Sequence, residues 1–448
     1  MPDDRDTDLL DWSTPPPGWP TTERPRSIAI LGWGRLSAQG KEGSGYNLSA
    51  SELATGLALM GHRVSFMRSG MDYSFRRGMF LREVEPWRNI RCWHLVNSPN
   101  LSPAVFNFKN MAAERSSQEQ TKLVLRWLDS IEAEVVHVHS LEGYGLDLIP
   151  AIRDSGRKIV ITTHNYWWVC PQVDLLHDEV NVCMDYDGGR NCVGCLKPAA
   201  PAKARMRRRI EQTSNRRLGP ITQHVVRRFV IGRKQLVKPN LPAPKAKPVG
   251  LNGVLDPELA LGFEIEQVRD HAGTLVQDAP VDASELPPVL GKSPIDQNER
   301  FLKADHHLKV LNQYGERRVA GVESLNAADR VTPPSQFMCR VYERMGVETS
   351  RVQHVRLGQP HFDRMNRRAR RSPWYRVRPW DPERSTRPLR FAYFGTTRHN
   401  KGLDVLARAI PMLDRDIRQR CQFTIRAAHG DHLFRRRLSP YPEVSFLG

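Results

Sequence analysis

The chain has 448 residues, room for two or three ordinary domains, and 40% of it is apolar, enough to fill real cores. Lys and Arg number 67 against 49 Asp and Glu, a formal charge of +18; this favours anionic partners (nucleic acid, an anionic membrane surface, phosphorylated substrates) and says nothing about fold. No apolar run reaches the roughly 18 residues of a membrane span. The acidic, Pro-rich start MPDDRDTDLLDWSTPPPGWP is unlike a secretory signal. The expectation is a cytosolic protein whose seven cysteines stay reduced unless they hold a metal.

Residues 1–25, with prolines at 15–17 and 20, read as a disordered tail. From Ile28 the run IAILGWG has the texture of a buried parallel strand. The Gly-rich loop RLSAQGKEGSGYN follows, then a helix over LSASELATGLALMGH with Leu53 and Leu57 on one face and Gly61 as its stop. RVSFM is the next strand, so the order strand, helix, strand implies a parallel crossover. Residues 70–110 carry Phe75, Phe80, Trp87, Trp93, Phe106 and Phe108 among turns, and periodicity does not order them. The rhythm returns with a helix in EQTKLVLRWLDSI, a strand in VVHVHS, a helix in YGLDLIPAIRDSG closed by Gly156, and a strand in KIVITTH. With a Cys-rich loop at 166–196, these predict a doubly wound α/β domain over 26–196.

Residues 197–307 break the rhythm and read as a basic, Pro-rich insertion with short ordered pieces at most. Between Lys203 and Lys238 stand twelve Lys and Arg against one Glu. That run is a candidate contact for anionic lipid or nucleic acid; without regular aromatic interleaving, specific single-strand readout is not expected. Residues 308–360 return to the first domain with a helix, a short strand at Arg330–Thr332 and a helix after Ser335. The nine arginines of 361–388 mark an interdomain linker. From 389 the first-domain rhythm restarts: strands in LRFAYFGTT, QFTIRAA and VSFLG, helices in HNKGLDVLARAIPML and HLFRRRL. A buried parallel strand needs cover on both faces, so 389–448 reads as the start of a second, incomplete Rossmann-like domain and the chain as a fragment.

Several places could carry chemistry. Gly32, Gly34, Gly40, Gly43 and Gly45 would free backbone N–H groups near a helix N-terminus, suiting an anionic or sugar group. The spacing is not G-x-G-x-x-G, and Arg68 stands where a dinucleotide fold wants an acid; a plain turn without ligand remains open. His164, in THNYWWVCPQ, falls at the carboxyl edge of a strand, where α/β folds bind ligands. The alternative is a strand-end histidine packed against Trp167 or Trp168. His137 and His139 share one strand face and read as structural, with His139 near enough to reach a cleft. Cys170, Cys183, Cys192 and Cys195 fall within 26 residues and end in C-V-G-C. Four thiolates suit structural zinc or an iron–sulfur cluster, with reduced unligated thiols or disulfides as the alternatives. Cys92, Cys339 and Cys421 read as isolated buried thiols. In FGTTRHNKG, Gly395, Thr396, Thr397, Arg398 and Lys401 sit between a strand and a helix, a composition fit for a diphosphate and equally for a charged solvated turn.

In order along the chain, these phrases resemble the family 4 glycosyltransferases, which have the GT-B architecture of two Rossmann-like domains facing a cleft. GYNLSASELATGLALMGHRVSF is similar to that family's opening, VVHVHS and ITTHNYWWVCPQ to its next strands, and C-x12-C-x8-C-x2-C to one branch of it. LNAADRVTPPSQF resembles its segment at Asp329, Val331 and Ser335, and FAYFGTTRHNKGLDVLARAI the start of its donor domain at Gly395, Lys401 and Gly402. The match covers about 26–196, 308–360 and 389–448. The resemblance implies an N-terminal acceptor domain and a C-terminal nucleotide-sugar donor domain. It implies transfer of a sugar from a UDP- or GDP-sugar to a glycan or lipid-linked acceptor with retained configuration. Lys401 would hold the donor diphosphate and His164 would stand beside the transferred sugar, with no divalent metal required at the donor. Thr396 departs from the family's usual Arg, for which Arg398 would substitute, and Asn165 from its usual Asp. The family's acidic donor motif would lie beyond residue 448. An inactive interaction protein on the same fold and a metal-stabilised nucleic-acid binder are the alternative readings.

Overall fold

The computed structural model describes residues 20–37, 45–104, 107, 111–177, 181–183, 186–195, 201–217, 312–357, 370–371, 380–381, 383–397, 401–427 and 432–447. The expectations for 1–19, for 218–311 and for most of 361–388 lie outside them. Two compact units emerge, one within Met1–Leu175 and Cys183–Gln359, the other within Leu176–Val182 and Pro360–Gly448. Both are α/β and built on parallel strands.

In chain order the strands are β1 (Ser27–Gly32), β2 (Arg63–Asp72), β3 (Phe80–Trp87), β4 (Ile90–Val96), β5 (Val135–Val138) and β6 (Lys158–Ile161), then the short antiparallel pair β7 (Leu176–His177) and β8 (Asn181–Val182), and β9 (Arg330–Val331). The first unit holds a seven-stranded sheet in the order β3-β4-β2-β1-β5-β6-β9. All its pairings are parallel except β3–β4. The helices are α1 (Gly45–Leu59), α2 (Met111–Arg115), α3 (Gln118–Ser130), α4 (Leu148–Asp154), α5 (Arg190–Cys195), α6 (Pro201–Arg217), α7 (Gln313–Ala327) and α8 (Gln336–Arg344).

The strands read as continuous apolar runs because both faces are covered. Ile28 and Ile30 of β1, with Val64, Phe66, Ile90 and Cys92, pack toward Ala54 of α1. Ala29 and Leu31, with Val136, Val138 and Ile159, face Trp127 and Leu128 of α3, Ile149 and Ile152 of α4, and Tyr342 of α8. The chain leaves β1 toward β2 and β4, then crosses back to place β5 on the other side. The carboxyl ends of β1 and β5 therefore form a topological switch point, the crevice where open α/β sheets bind ligands.

Four details go beyond the sequence reading or correct it. The helix α1 carries Leu53 and Leu57 on one face as expected, both partly covered and Leu57 packed on the core; its buried side is Tyr46, Asn47, Ser49, Ala50, Ser51, Ala54 and Thr55. Small side chains admit a close approach there, and Ser51 is spent on the backbone, donating to Asn47 O at 2.7 Å and accepting from Ser37 N at 2.9 Å. Residues 80–96 form a β-hairpin whose two-residue turn, Arg88 and Asn89, has φ of 46° and 65°. This mirror-image turn matches strand twist, but it lacks the glycine that usually signals it. Residues 20–25 are not all loose tail, since Thr22 N donates to Met60 O at 2.9 Å. The insertion opens with a 17-residue helix, α6. Its Arg205 donates to Pro99 O at 2.8 Å and Arg208 to Ser102 O at 2.6 Å, while Gln212 bonds Tyr73 N and Met71 O at 2.8 Å each.

The second unit repeats the scheme with β10 (Leu389–Gly395), β11 (Cys421–Ala427) and β12 (Val444–Phe446), all parallel, and helices α9 (Leu403–Met412), α10 (Arg415–Gln419) and α11 (His432–Leu438). Leu403, Ala407 and Ile410 of α9 close over Phe423 and Ile425. On the opposite side of β10, Phe394 is 70% exposed.

Candidate active site

Past the end of β1, Trp33 stacks obliquely on Tyr46, with ring centres 5.5 Å apart, and Tyr46 lies 5.3 Å from the His164 ring. Past the end of β5, His139 N donates to Leu31 O at 2.9 Å, which extends the β1–β5 pairing and sets the imidazole at the switch point. Its ring stacks on His137 at 4.5 Å and on His164 at 5.2 Å. The three histidines thus form one column on the α1 side of the sheet. His164 is half-buried, and the rings it packs against are those of Tyr46 and His139 at the switch point. The packing expected against Trp167 or Trp168 is replaced by these two.

Hydrogen placement follows from the network. His139 Nδ1 and His164 Nε2 are 2.9 Å apart, and His139 Nε2 is buried without a partner among the described residues. Were His139 to accept at Nδ1, its own proton would sit on Nε2 as an orphaned buried donor, rarer than an orphaned acceptor. His139 therefore donates from Nδ1 and His164 accepts at Nε2. Burial holds the His164 pKa down to about 3 and that of His137 down to about 4, while His139 lies well below its ordinary value for the same reason, reinforced by its two histidine neighbours. All three are neutral at physiological pH. A neutral His164 carries its proton on Nδ1, so it acts as a hydrogen-bond donor and not as a base. His137 is anchored by Thr162 Oγ1 at 2.8 Å, which in turn meets Thr332 Oγ1 at 2.9 Å.

Behind this column lie groups that sequence reasoning missed. Glu142 is buried, accepts from Ala104 N at 2.6 Å and has the Asn165 side chain beside it. Burial, with the Glu114 carboxylate nearby, raises its pKa to about 7. Tyr46 is pushed up by burial and then by Glu142. Glu114 receives Arg317 Nε at 2.7 Å, with neither side chain meaningfully exposed. Arg317 also donates to Trp168 O at 2.9 Å and lies over the Trp167 ring at 4.4 Å. Gly321 lets α7 press against the Trp168 carbonyl, because a Cβ there would overlap that oxygen. The one hint in the sequence was position: Glu142 follows a strand end by a few residues.

A cleft of about 700 Å³ opens over β2, β3 and β4, lined among others by Arg35, Phe66, Arg82, Trp87 and His94. Buried Asp72 holds Arg68 at 2.8 Å and Arg82 at 3.1 Å, and lies 3.2 Å from the His94 imidazole, whose pKa burial lowers. Arg68, which stands in the sequence where a ribose acid belongs, is thus an internal partner of Asp72. Of the loop glycines, Gly45 begins α1 with open space around its α-carbon, and Gly43 lies outside the described residues.

The four clustered cysteines come together around one turn. Cys170 begins it, Cys183 N donates to Leu175 O at 2.8 Å, and Cys195 Sγ donates to Gln172 Oε1 at 3.0 Å. Cys192, three residues before Cys195 on α5, is pushed up to about 12 by burial and by the sulfurs of Cys170, Cys183 and Cys195. No disulfide joins them, and among the described residues no three His, Cys, Asp or Glu side chains are already set as ligands of one ion. Cys92, Cys339 and Cys421 are buried and apart, as read from the sequence.

On the second unit, Gly395 ends β10 and Thr396 follows, its carbonyl accepting from Tyr393 Oη at 2.7 Å. Lys401 is exposed just before α9, whose N-cap Gly402 has φ of 74°. Arg398 lies outside the described residues.

No protein-family model matches the chain, and no curated protein matches it. Among solved structures it is similar to sucrose-phosphate synthase from Thermosynechococcus elongatus (11% identity, TM-score 0.39, covering 94% of this chain and 70% of that one). It is also similar to HepE of Anabaena in complex with UDP and glucose (10% identity, TM-score 0.33, 94% and 69%). A third is the UDP-forming α,α-trehalose-phosphate synthase of Burkholderia xenovorans in complex with glucose-6-phosphate (9% identity, TM-score 0.38, 94% and 74%). At such TM-scores the α/β class rests on this chain's own strand order and not on the likeness.

Proposed function

We propose that this chain is a glycosyltransferase of GT-B type. It moves a sugar from a UDP- or GDP-sugar to a glycan or lipid-linked acceptor, with retention. The observation that carries the reading is the switch point of the first unit, where half-buried His164 is held neutral by burial beside His139; its N–H would donate to a sugar hydroxyl or phosphate. Lys401, Arg398 and the N-terminus of α9 would meet the departing diphosphate, stabilising its developing charge without a metal. The cleft bearing Trp87, Arg35 and Arg82 suits the acceptor, an aromatic wall for a sugar face and cations for an attached anionic group.

We place the enzyme at the cytosolic membrane face. Among the described residues no helix is long and apolar enough to cross a membrane. Support comes from α6, where Met206 (47% exposed) and Ile210 (41% exposed) lie four residues apart with exposed Lys203 one turn before them. Nucleic acid is not the expected partner.

Calorimetric titration with UDP, GDP, UDP-glucose and GDP-mannose tests the reading, together with release of free nucleoside diphosphate from each sugar donor. Saturable binding of one nucleotide series is expected. A folded protein that binds none of the four overturns the enzyme and favours the inactive interaction protein, a reading that Thr396 supports by standing where the resemblance wants Arg.

A further inference from the structure

We infer that Cys170, Cys183, Cys192 and Cys195 hold one structural zinc ion whose excess negative charge is offset in part by the buried guanidinium of Arg318. The inference is independent of the glycosyltransferase reading. Its first support is that two of the cysteines are tied to the turn that Cys170 begins: Cys183 N donates to Leu175 O at 2.8 Å and Cys195 Sγ to Gln172 Oε1 at 3.0 Å. Cys192, on α5, packs against Met111 and Tyr314.

The second support is Arg318. It is buried, and among the described residues it meets no carboxylate; its planar head lies 3.9 Å over the Tyr186 ring and touches Met345 Sδ. The other charges it would feel are those of Cys183, Cys170 and Cys192. A buried cation without an anion is costly to keep. Its neighbour Arg317 has solved this with Glu114; among the described residues Arg318 has sulfur and a phenol around it. Zinc with four thiolates carries two net negative charges, so an ion at this turn supplies the missing anion and Arg318 becomes its counter-charge.

The third support is the loop itself. It has few apolar residues, and coordination bonds replace the core it lacks. Tetrahedral thiolate coordination is zinc's ordinary structural arrangement. Binding requires side-chain movement, because the sulfurs are not yet convergent and Cys195 must give up Gln172 for the ion.

The test uses the full chain purified without added metal. Elemental analysis is expected to give one zinc per chain. Alkylation with mass mapping should leave these four positions unmodified until a chelator is added, after which all four react. Cys192→Ser should lose the zinc, while Cys339→Ser, at an isolated buried thiol, should keep it. Should Cys192→Ser fail to fold, the chelator-dependent alkylation of the wild type decides, and replacement of zinc by cobalt(II) should give the visible bands of a tetrathiolate site. Metal-free protein with four freely alkylated thiols overturns the proposal. So does a brown, iron-containing protein, or disulfides at these positions.

Discussion

Glu114 and Arg317 form an ion pair at 2.7 Å in which both side chains are essentially withdrawn from water, at 1% and 0% exposure. The pair joins α2 to α7 across about 200 residues of chain. Removing one partner strands the other as an unpaired buried charge, which costs about 3–5 kcal/mol. Arg317→Met is therefore expected to lower the denaturation midpoint sharply. The double variant Arg317→Met with Glu114→Leu should recover much of that loss. Urea titration of the four proteins checks this; equal loss in single and double variants contradicts it.

Gly321 is fixed by contact and not by its backbone angles. A methyl group there would overlap the Trp168 carbonyl, so Gly321→Ala must push α7 off the turn that follows His164. Overpacking of this kind costs about 1–3 kcal/mol. A lower melting temperature and a red-shifted emission from Trp167 and Trp168 are the expected readouts.

Stability should depend on pH from two opposed sources. His137 and His164 have folded pKa values of about 4 and 3, below their ordinary 6.5, so their contribution is present above pH 6.5 and is lost as pH falls toward those values. Glu142 is raised from 4.5 to about 7, so its contribution is present below pH 4.5 and is lost as pH rises through 7. Over pH 4.5 to 6.5 two histidines gain with rising pH what one carboxyl partly takes back, so the wild type should be most stable near pH 6.5 to 7. Glu142→Gln removes the opposed limb, so stability should rise more steeply over that window and stay level above it. Melting temperatures across pH 4 to 9 measure both limbs.

His164→Asn keeps a donor but moves it, and His164→Ala removes it. Loss of one aligned donor costs about 10²–10³-fold in turnover, so His164→Ala should lose that much; it also strands the His139 Nδ1–H, so the melting temperature should fall too, and turnover is compared at a temperature where both proteins are folded. Because His164 is neutral throughout, its loss should not shift the pH optimum. A shift would mean that His164 acts as an acid or base.

For α6, flotation should show binding to vesicles containing phosphatidylglycerol and none to phosphatidylcholine alone. Met206→Ser with Ile210→Ser should weaken binding at all salt concentrations, while Lys203→Ala should weaken it by about 1 kcal/mol at low salt only. Equal partition into both vesicle types contradicts the membrane contact.

Sequence alone made the parallel strands β1, β2, β5, β6 and β10 to β12 readable, because buried parallel strands announce themselves as short apolar runs. It did not show that the side of α1 in closest contact is built of small residues such as Ser49, Ala50, Ser51 and Ala54. It left the β3–β4 hairpin unordered, since Arg88 and Asn89 make a mirror-image turn without glycine. At the site, His164 was legible from its strand-end position. Glu142, Glu114 and Arg317 were not, because their meaning arises only when α7 closes against residues far back in the chain, and pattern along a sequence carries no such distance.

That closure also has a timetable. Thr162 beside β6 and Thr332 beside β9 touch across 170 residues of chain. A ribosome adding about 5–20 residues per second needs roughly 10–30 s to travel that span. Throughout that interval β6 is an open sheet edge, and Glu114 waits in water for its arginine. The nascent first unit is thus a sheet missing its last strand, and newly made chains should depend on a holdase until residue 332 has left the exit tunnel.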